Sequence, residues 1–191
     1  MEAFLVSTGV VALAEIGDKT QLLALVLAAK YRKPAPIILG ILVATLFNHA
    51  LAGVAGSWIS VTVGPVTMRW ILGLSFIAMA AWALVPDKYD DDAKQDAAPR
   101  FGVFVTTLIA FFLLEMGDKT QIATVALAAK YSSLVAVVAG TTLGMMLANV
   151  PAVLLGEVAA KKLPMQVVHR IAAAIFLALG VTVLLGYGRL G

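Results

Sequence analysis

The chain has 191 residues, of which 61% are hydrophobic and only 13% charged, with a mean hydropathy of +0.97. A soluble domain carries about a quarter charged residues, so the composition excludes an ordinary soluble domain, and the even spread of apolar residues implies an integral membrane protein in contact with the lipid bilayer throughout. The absence of Cys excludes disulfides and thiolate metal sites, and the net charge of +3 is no nucleic-acid signal, because the basic residues fall at segment ends.

The N-terminal "MEAFLVSTGV" lacks the basic n-region of a cleaved signal peptide, so the first apolar segment is expected to be retained. Six apolar segments follow in order, at 3–29, 35–58, 68–85, 101–129, 134–158 and 167–187. Each is long enough to cross a hydrocarbon core of about 30 Å, which takes around 20 helical residues. Short breaks separate most of them ("KYRKPAP", "GPVTMR", "KYSS", "KKLPMQ"), as expected between antiparallel helices. The one long break, "PDKYDDDAKQDAAPR" at 86–100, is polar and divides the chain into a unit at 1–85, a linker with an acidic run, and a unit at 101–191. The odd-numbered breaks hold nine Lys and Arg and the opposite side three, so the positive-inside rule puts the odd breaks in the cytoplasm and both termini outside it. Trp58, Trp70 and Tyr187 then lie near outer helix ends, where interfacial aromatics belong.

The two units are copies. "EIGDKTQ" at 15–21 recurs as "EMGDKTQ" at 115–121, and eleven of the 17 positions in 15–31 are identical in 115–131. The same offset of 100 pairs Gly40 with Gly140, Gly56 with Gly156, and His49 with Asn149. Three spans per copy is an odd number, so the second copy enters the membrane from the opposite side. The expected fold is all-α: six transmembrane helices arranged as two inverted three-helix repeats, with a site where the repeats meet near mid-membrane.

The motif places charge where lipid is expected. Taken as a continuous helix at 100° per residue, Glu15, Asp18, Lys19 and Gln21 form a polar fan on one wall. Glu115, Asp118, Lys119 and Gln121 do the same in the second copy. Gly17 allows close helix approach or local unwinding, and Thr20 points away from Glu15 unless the helix is distorted. An ionised residue at a helix centre costs roughly 3 kcal/mol to insert, so the fans must face each other or a water-filled cavity. One reading makes Glu15–Lys19 and Glu115–Lys119 structural i,i+4 ion pairs, which leaves Asp18 and Asp118 without a cation. The other makes the four carboxylates a cation site whose net charge of −2, lysines included, one divalent ion or two protons would neutralise. Intramembrane ionisable residues are functional by default. An oxygen-rich set of carboxylates with Gln21, Gln121, Asn48 and Asn149 suits Mn²⁺, Ca²⁺ or Mg²⁺. His49, if a ligand rather than a packing residue, tilts the choice from Ca²⁺ to Mn²⁺; its titration range also makes it a candidate for proton coupling. "GVAG" at 53–56 and "GTTLG" at 140–144 read as helix-packing surfaces, and Pro151 as a kink.

At these paired motifs the chain resembles the GDT family of divalent-cation transporters, which carry two E-x-G-D-[KR]-[ST] motifs on first and fourth helices. The resemblance covers essentially the whole chain. It implies that Glu15, Asp18, Glu115 and Asp118 bind the ion, that protons are the counter-ion, and that Mn²⁺ is exported across a bacterial inner membrane. It implies neither enzymatic activity nor a cofactor. The short length and the Lys-Thr in both motifs favour a prokaryotic member. A Ca²⁺/H⁺ exchanger of the same design, a six-helix amino-acid exporter and a non-transporting scaffold are the alternatives, and homo-oligomerisation is left open. No Ser/His/Asp nucleophile set or HExxH helix supports a hydrolase.

Overall fold

Uninterrupted apolar runs punctuated by Pro and Gly give helices with abrupt ends. A computed structural model describes residues 1–85, 102–155 and 165–186, and among these residues there are eight helices and no strand. They are α1 (Glu2–Glu15), α2 (Lys19–Tyr31), α3 (Pro34–Thr62), α4 (Pro65–Ala83), α5 (Gly102–Glu115), α6 (Lys119–Lys130), α7 (Leu134–Leu155) and α8 (Met165–Leu184). Pro34 and Pro65 open α3 and α4, where a proline's missing N–H has no helical partner to lose. Pro151 lies inside α7, which runs on to Leu155. The linker at 86–100, Lys161, Lys162, Gly156 and Tyr187 lie outside the described residues.

The all-helical expectation holds, but the first and fourth apolar segments are not single helices. Each is two short helices separated at the motif: α1 and α2 in the first copy, α5 and α6 in the second. With 14 and 13 residues, α1 and α2 reach about 20 Å each, too short to cross the hydrocarbon core alone. Among the described residues, three helices, α3, α4 and α7, are long and apolar enough to cross a membrane.

Packing exchanges the two halves. α1 lies against α7 while α5 lies against α3, α3 meets α7, and α4 meets α8. Adding 100 to the first half's numbers converts each of these contacts into another of the set or into itself. The closest approaches follow the same rule. A Cβ on Gly40 would sit 2.9 Å from the Phe104 carbonyl oxygen and 2.8 Å from Thr107 Cβ. One on Gly140 would sit 2.5 Å from the Phe4 carbonyl oxygen and 3.0 Å from Ser7 Cβ. Only glycine lets the backbones approach this closely. The two expected small-residue surfaces are likewise used: Gly53 faces Leu134 and Val138, Gly56 faces Val125, and Gly144 faces Thr8 and Val11.

Large apolar side chains cover the outside as well as the core, and a set of polar and charged side chains is buried among them. Leu39, Phe47, Leu51, Trp58, Trp70, Val135 and Leu147 are exposed, whereas Glu15, Asp18, Asn48, His49 and Asn149 have no exposed surface. An apolar exterior of this extent is suited to lipid. At one edge the Tyr131 hydroxyl donates to Glu2 Oε1 at 3.1 Å, tying the start of α1 to the end of α6. Burial, followed by the bond to Glu2 and its charge, pushes the Tyr131 phenol up to about 12, so it remains a donor. The N-terminus and the "KYSS" turn therefore share one face of the protein.

Candidate cation site at the paired helix breaks

The breaks begin at glycine. Gly17 has φ 84° and Gly117 φ 77°, in the left-handed region where a side chain costs about 1–2 kcal/mol. Turning the chain there ends α1 at Glu15 and makes Asp18 the residue preceding α2; Glu115 and Asp118 take the same places around the second break. Each glutamine four residues on completes the turn. Gly17 N–H donates to Gln21 Oε1 at 3.0 Å and Gly117 N–H to Gln121 Oε1 at 2.7 Å, while the Asp18 and Asp118 amides return to the Glu15 and Glu115 carbonyls. The continuous polar fan is thus corrected. Glu15 and Lys19 no longer share a helix, so the i,i+4 geometry expected of them is lost.

Each ammonium instead reaches the aspartate of the other half. Lys19 Nζ lies 2.8 Å from Asp118 Oδ1, and Lys119 Nζ lies 2.9 Å from Asp18 Oδ1. The expectation that the aspartates lack a cation is therefore corrected as well. Both aspartates occupy N-cap positions, yet neither side chain makes a capping hydrogen bond, so their oxygens are turned toward the neighbouring half.

The glutamates meet uncharged polar groups and an imidazole. Asn149 Nδ2 donates to Glu15 Oε1 at 3.3 Å and also to Met145, at its carbonyl oxygen (3.1 Å) and sulfur (3.0 Å). In the second half the Thr120 hydroxyl donates to Glu115 Oε1, and His49 Nε2 stands 3.9 Å from the same oxygen. Glu15 also lies within electrostatic range of Glu115, Asp18 and Asp118, so the carboxylates of both halves share one buried region. Several buried polar atoms have no hydrogen-bond partner: Glu15 Oε2, Glu115 Oε2, Asn48 Oδ1, Asn149 Oδ1, Thr20 Oγ1 and both ring nitrogens of His49. A buried group left unsatisfied costs about 1–3 kcal/mol. Among the described residues, no three His, Asp or Glu side chains are grouped as a ready-made metal cage. The arrangement is one of ion-paired aspartates beside glutamates with spare oxygens.

Asn48, His49 and Asn149 all come to this region, as the sequence suggested. Asn48 Nδ2 donates to the Phe112 carbonyl at 3.0 Å, and Gln21 Nε2 to the Ala148 carbonyl at 3.0 Å, stitching the halves together. The oxygens of Gln21 and Gln121 are occupied by the glycine amides. The threonines are what helix arithmetic set aside: the distortion required to bring one to a glutamate is present, and Thr120 makes the contact. The signal was Gly17, the one motif residue that unwinds a helix without strain.

The model of the family described as "Divalent cation/proton antiporter GDT1" matches residues 3–91 and 103–189, one stretch in each half of the chain. A Vibrio cholerae protein named "Putative manganese exporter" is 49% identical over 178 residues, covering 93% of this chain and 88% of its own length. A Synechocystis protein named "GDT1-like protein sll0615" is 28% identical over 92% of this chain and 93% of its own, and "GDT1-like protein 3" of rice is 26% identical over 95% and 73%. No solved structure matches the chain. A membrane-suited helical exterior around buried, half-crossing ion pairs agrees with the family match, and the chain belongs to the GDT1 family of divalent cation/proton antiporters.

Proposed function

We propose that the protein exports Mn²⁺ across a bacterial inner membrane in exchange for protons, with Glu15, Asp18, Glu115 and Asp118 binding the ion between two oppositely oriented three-span halves. The observation that carries this is that Glu15 and Glu115, met by Asn149 and His49, each keep a buried oxygen with no hydrogen-bond partner. The crossed Lys–Asp pairs are neutral as units, so ionised Glu15 and Glu115 contribute a charge of −2. One divalent ion neutralises that charge, and so do two protons; their competition for the same oxygens couples the fluxes without any other group.

The α1 and α5 helices end at these glutamates, and the carbonyl end of a helix favours a cation. Broken helices at the repeat interface are the usual way in which transporters place an ion at mid-depth. Six spans follow if α1–α2 and α5–α6 each cross as a broken pair. The positive-inside count then puts both termini outside the cytoplasm. The name of the V. cholerae relative supports Mn²⁺ and an outward direction. The oxygen-rich ligand set also suits Ca²⁺, and competition of Ca²⁺ against Mn²⁺ flux separates the two ions.

In everted vesicles with an imposed pH gradient, Glu15→Gln and Asp118→Asn each abolish Mn²⁺ uptake while the purified variants keep their helical content. Undiminished Mn²⁺ uptake by Asp118→Asn would remove that residue, and with it the shared site, from the account.

A further inference from the structure

We propose that His49 makes the site discriminate first-row transition ions such as Mn²⁺ from alkaline-earth ions, by adding one imidazole nitrogen to an otherwise all-oxygen set; this rests on the cation site described above. His49 is fully buried on α3, and neither ring nitrogen has a hydrogen-bond partner. A histidine kept for packing satisfies at least one nitrogen, because a buried polar group left alone is costly. Here both are left open beside Glu115, with Nε2 3.9 Å from Oε1. That is too long for a hydrogen bond but within twice a metal–ligand bond of about 2.1 Å, so one ion can touch both atoms.

The duplication isolates what His49 adds. Under the offset of 100, Glu, Gly, Asp, Lys, Thr and Gln of the motif are the same in both halves, whereas His49 in the first half corresponds to Asn149 in the second. Asn149 meets Glu15 through an amide donor and keeps a spare oxygen. The second half thus supplies oxygen at the position where the first supplies nitrogen. Hard alkaline-earth ions take oxygen shells, while imidazole is a favoured ligand of the transition ions. A single nitrogen in a frame of carboxylates raises transition-ion affinity without excluding oxygen-loving Mn²⁺.

The test is His49→Asn, which installs the residue already accommodated at the equivalent place in the other half. Mn²⁺ and Ca²⁺ are titrated into purified wild type and variant, and the electron spin echo of bound Mn²⁺ is examined for ¹⁴N modulation from imidazole. The expected result is nitrogen modulation in the wild type, and a fall of about 10–100-fold in Mn²⁺ preference over Ca²⁺ in the variant. Both results are required. Modulation with an unchanged preference overturns the selective role, and a changed preference without modulation overturns coordination by His49. If the variant does not fold, absence of modulation in the wild type alone overturns the proposal. Wild-type protein that binds Mn²⁺ but fails these tests loses only the role of His49; wild-type protein that binds no Mn²⁺ loses the carboxylate site too.

Discussion

A lysine at the first position of a helix opposes the helix dipole, whose positive end lies there. Lys19 and Lys119 both occupy that position, so they are not present for the benefit of α2 and α6. Their role lies across the interface, on Asp118 and Asp18. The two pairs are unequal: 27% of the Lys19 side chain is exposed against 4% of Lys119. Removing one partner from a buried pair strands a charge and costs about 3–5 kcal/mol. Lys119→Met should therefore lower the melting temperature in detergent more than Lys19→Met; equal melting temperatures would show that the burial difference has no energetic weight. The identity of these residues was readable from the sequence, since charge within an apolar segment stands out. Their partners were not, because spacing along a helix reports neighbours within one turn, and these contacts join residues about 100 apart.

At the scale of the element, the break is a designed turn closed by a side chain. Without Gln121 Oε1 the Gly117 N–H loses the acceptor that replaces the missing helical carbonyl. Gln121→Leu removes that bond and, because the Gly117 N–H lies at an exposed position, should destabilise the protein by about 0.5–1.5 kcal/mol. Gln121→Glu keeps an acceptor oxygen and should retain most of the stability. Thermal melts of the two variants compare them directly, and a leucine variant as stable as wild type would show that the clamp contributes nothing. The sequence marked Gly17 as a place where a helix could unwind, but the apolar runs on either side of the motif together read as one membrane-length segment and hide the helix end. The stop comes from backbone freedom at one residue and a hydrogen bond from another, neither of which registers in hydropathy. Thr120 was lost to the site for the same reason: its direction follows from the break.

For the whole molecule, the duplication was the most legible feature. Gly40 and Gly140, paired by the offset of 100, make equivalent close approaches, at Phe104 and Phe4, themselves 100 apart. The exchange of partners, α1 with α7 and α5 with α3, was hidden because a repeat specifies like parts but not which copy each part packs against. That exchange is what makes the carboxylates a joint possession of the two halves: Glu15 is met by Asn149, and Glu115 by His49. The central claim is that the halves form one cation site and not two. Calorimetric titration with Mn²⁺ tests it most directly, using wild type beside Glu15→Gln and Glu115→Gln. The account predicts a single Mn²⁺ per chain in the wild type and loss of binding in either variant. Two ions per chain, or one ion still bound with full affinity after either substitution, would contradict it.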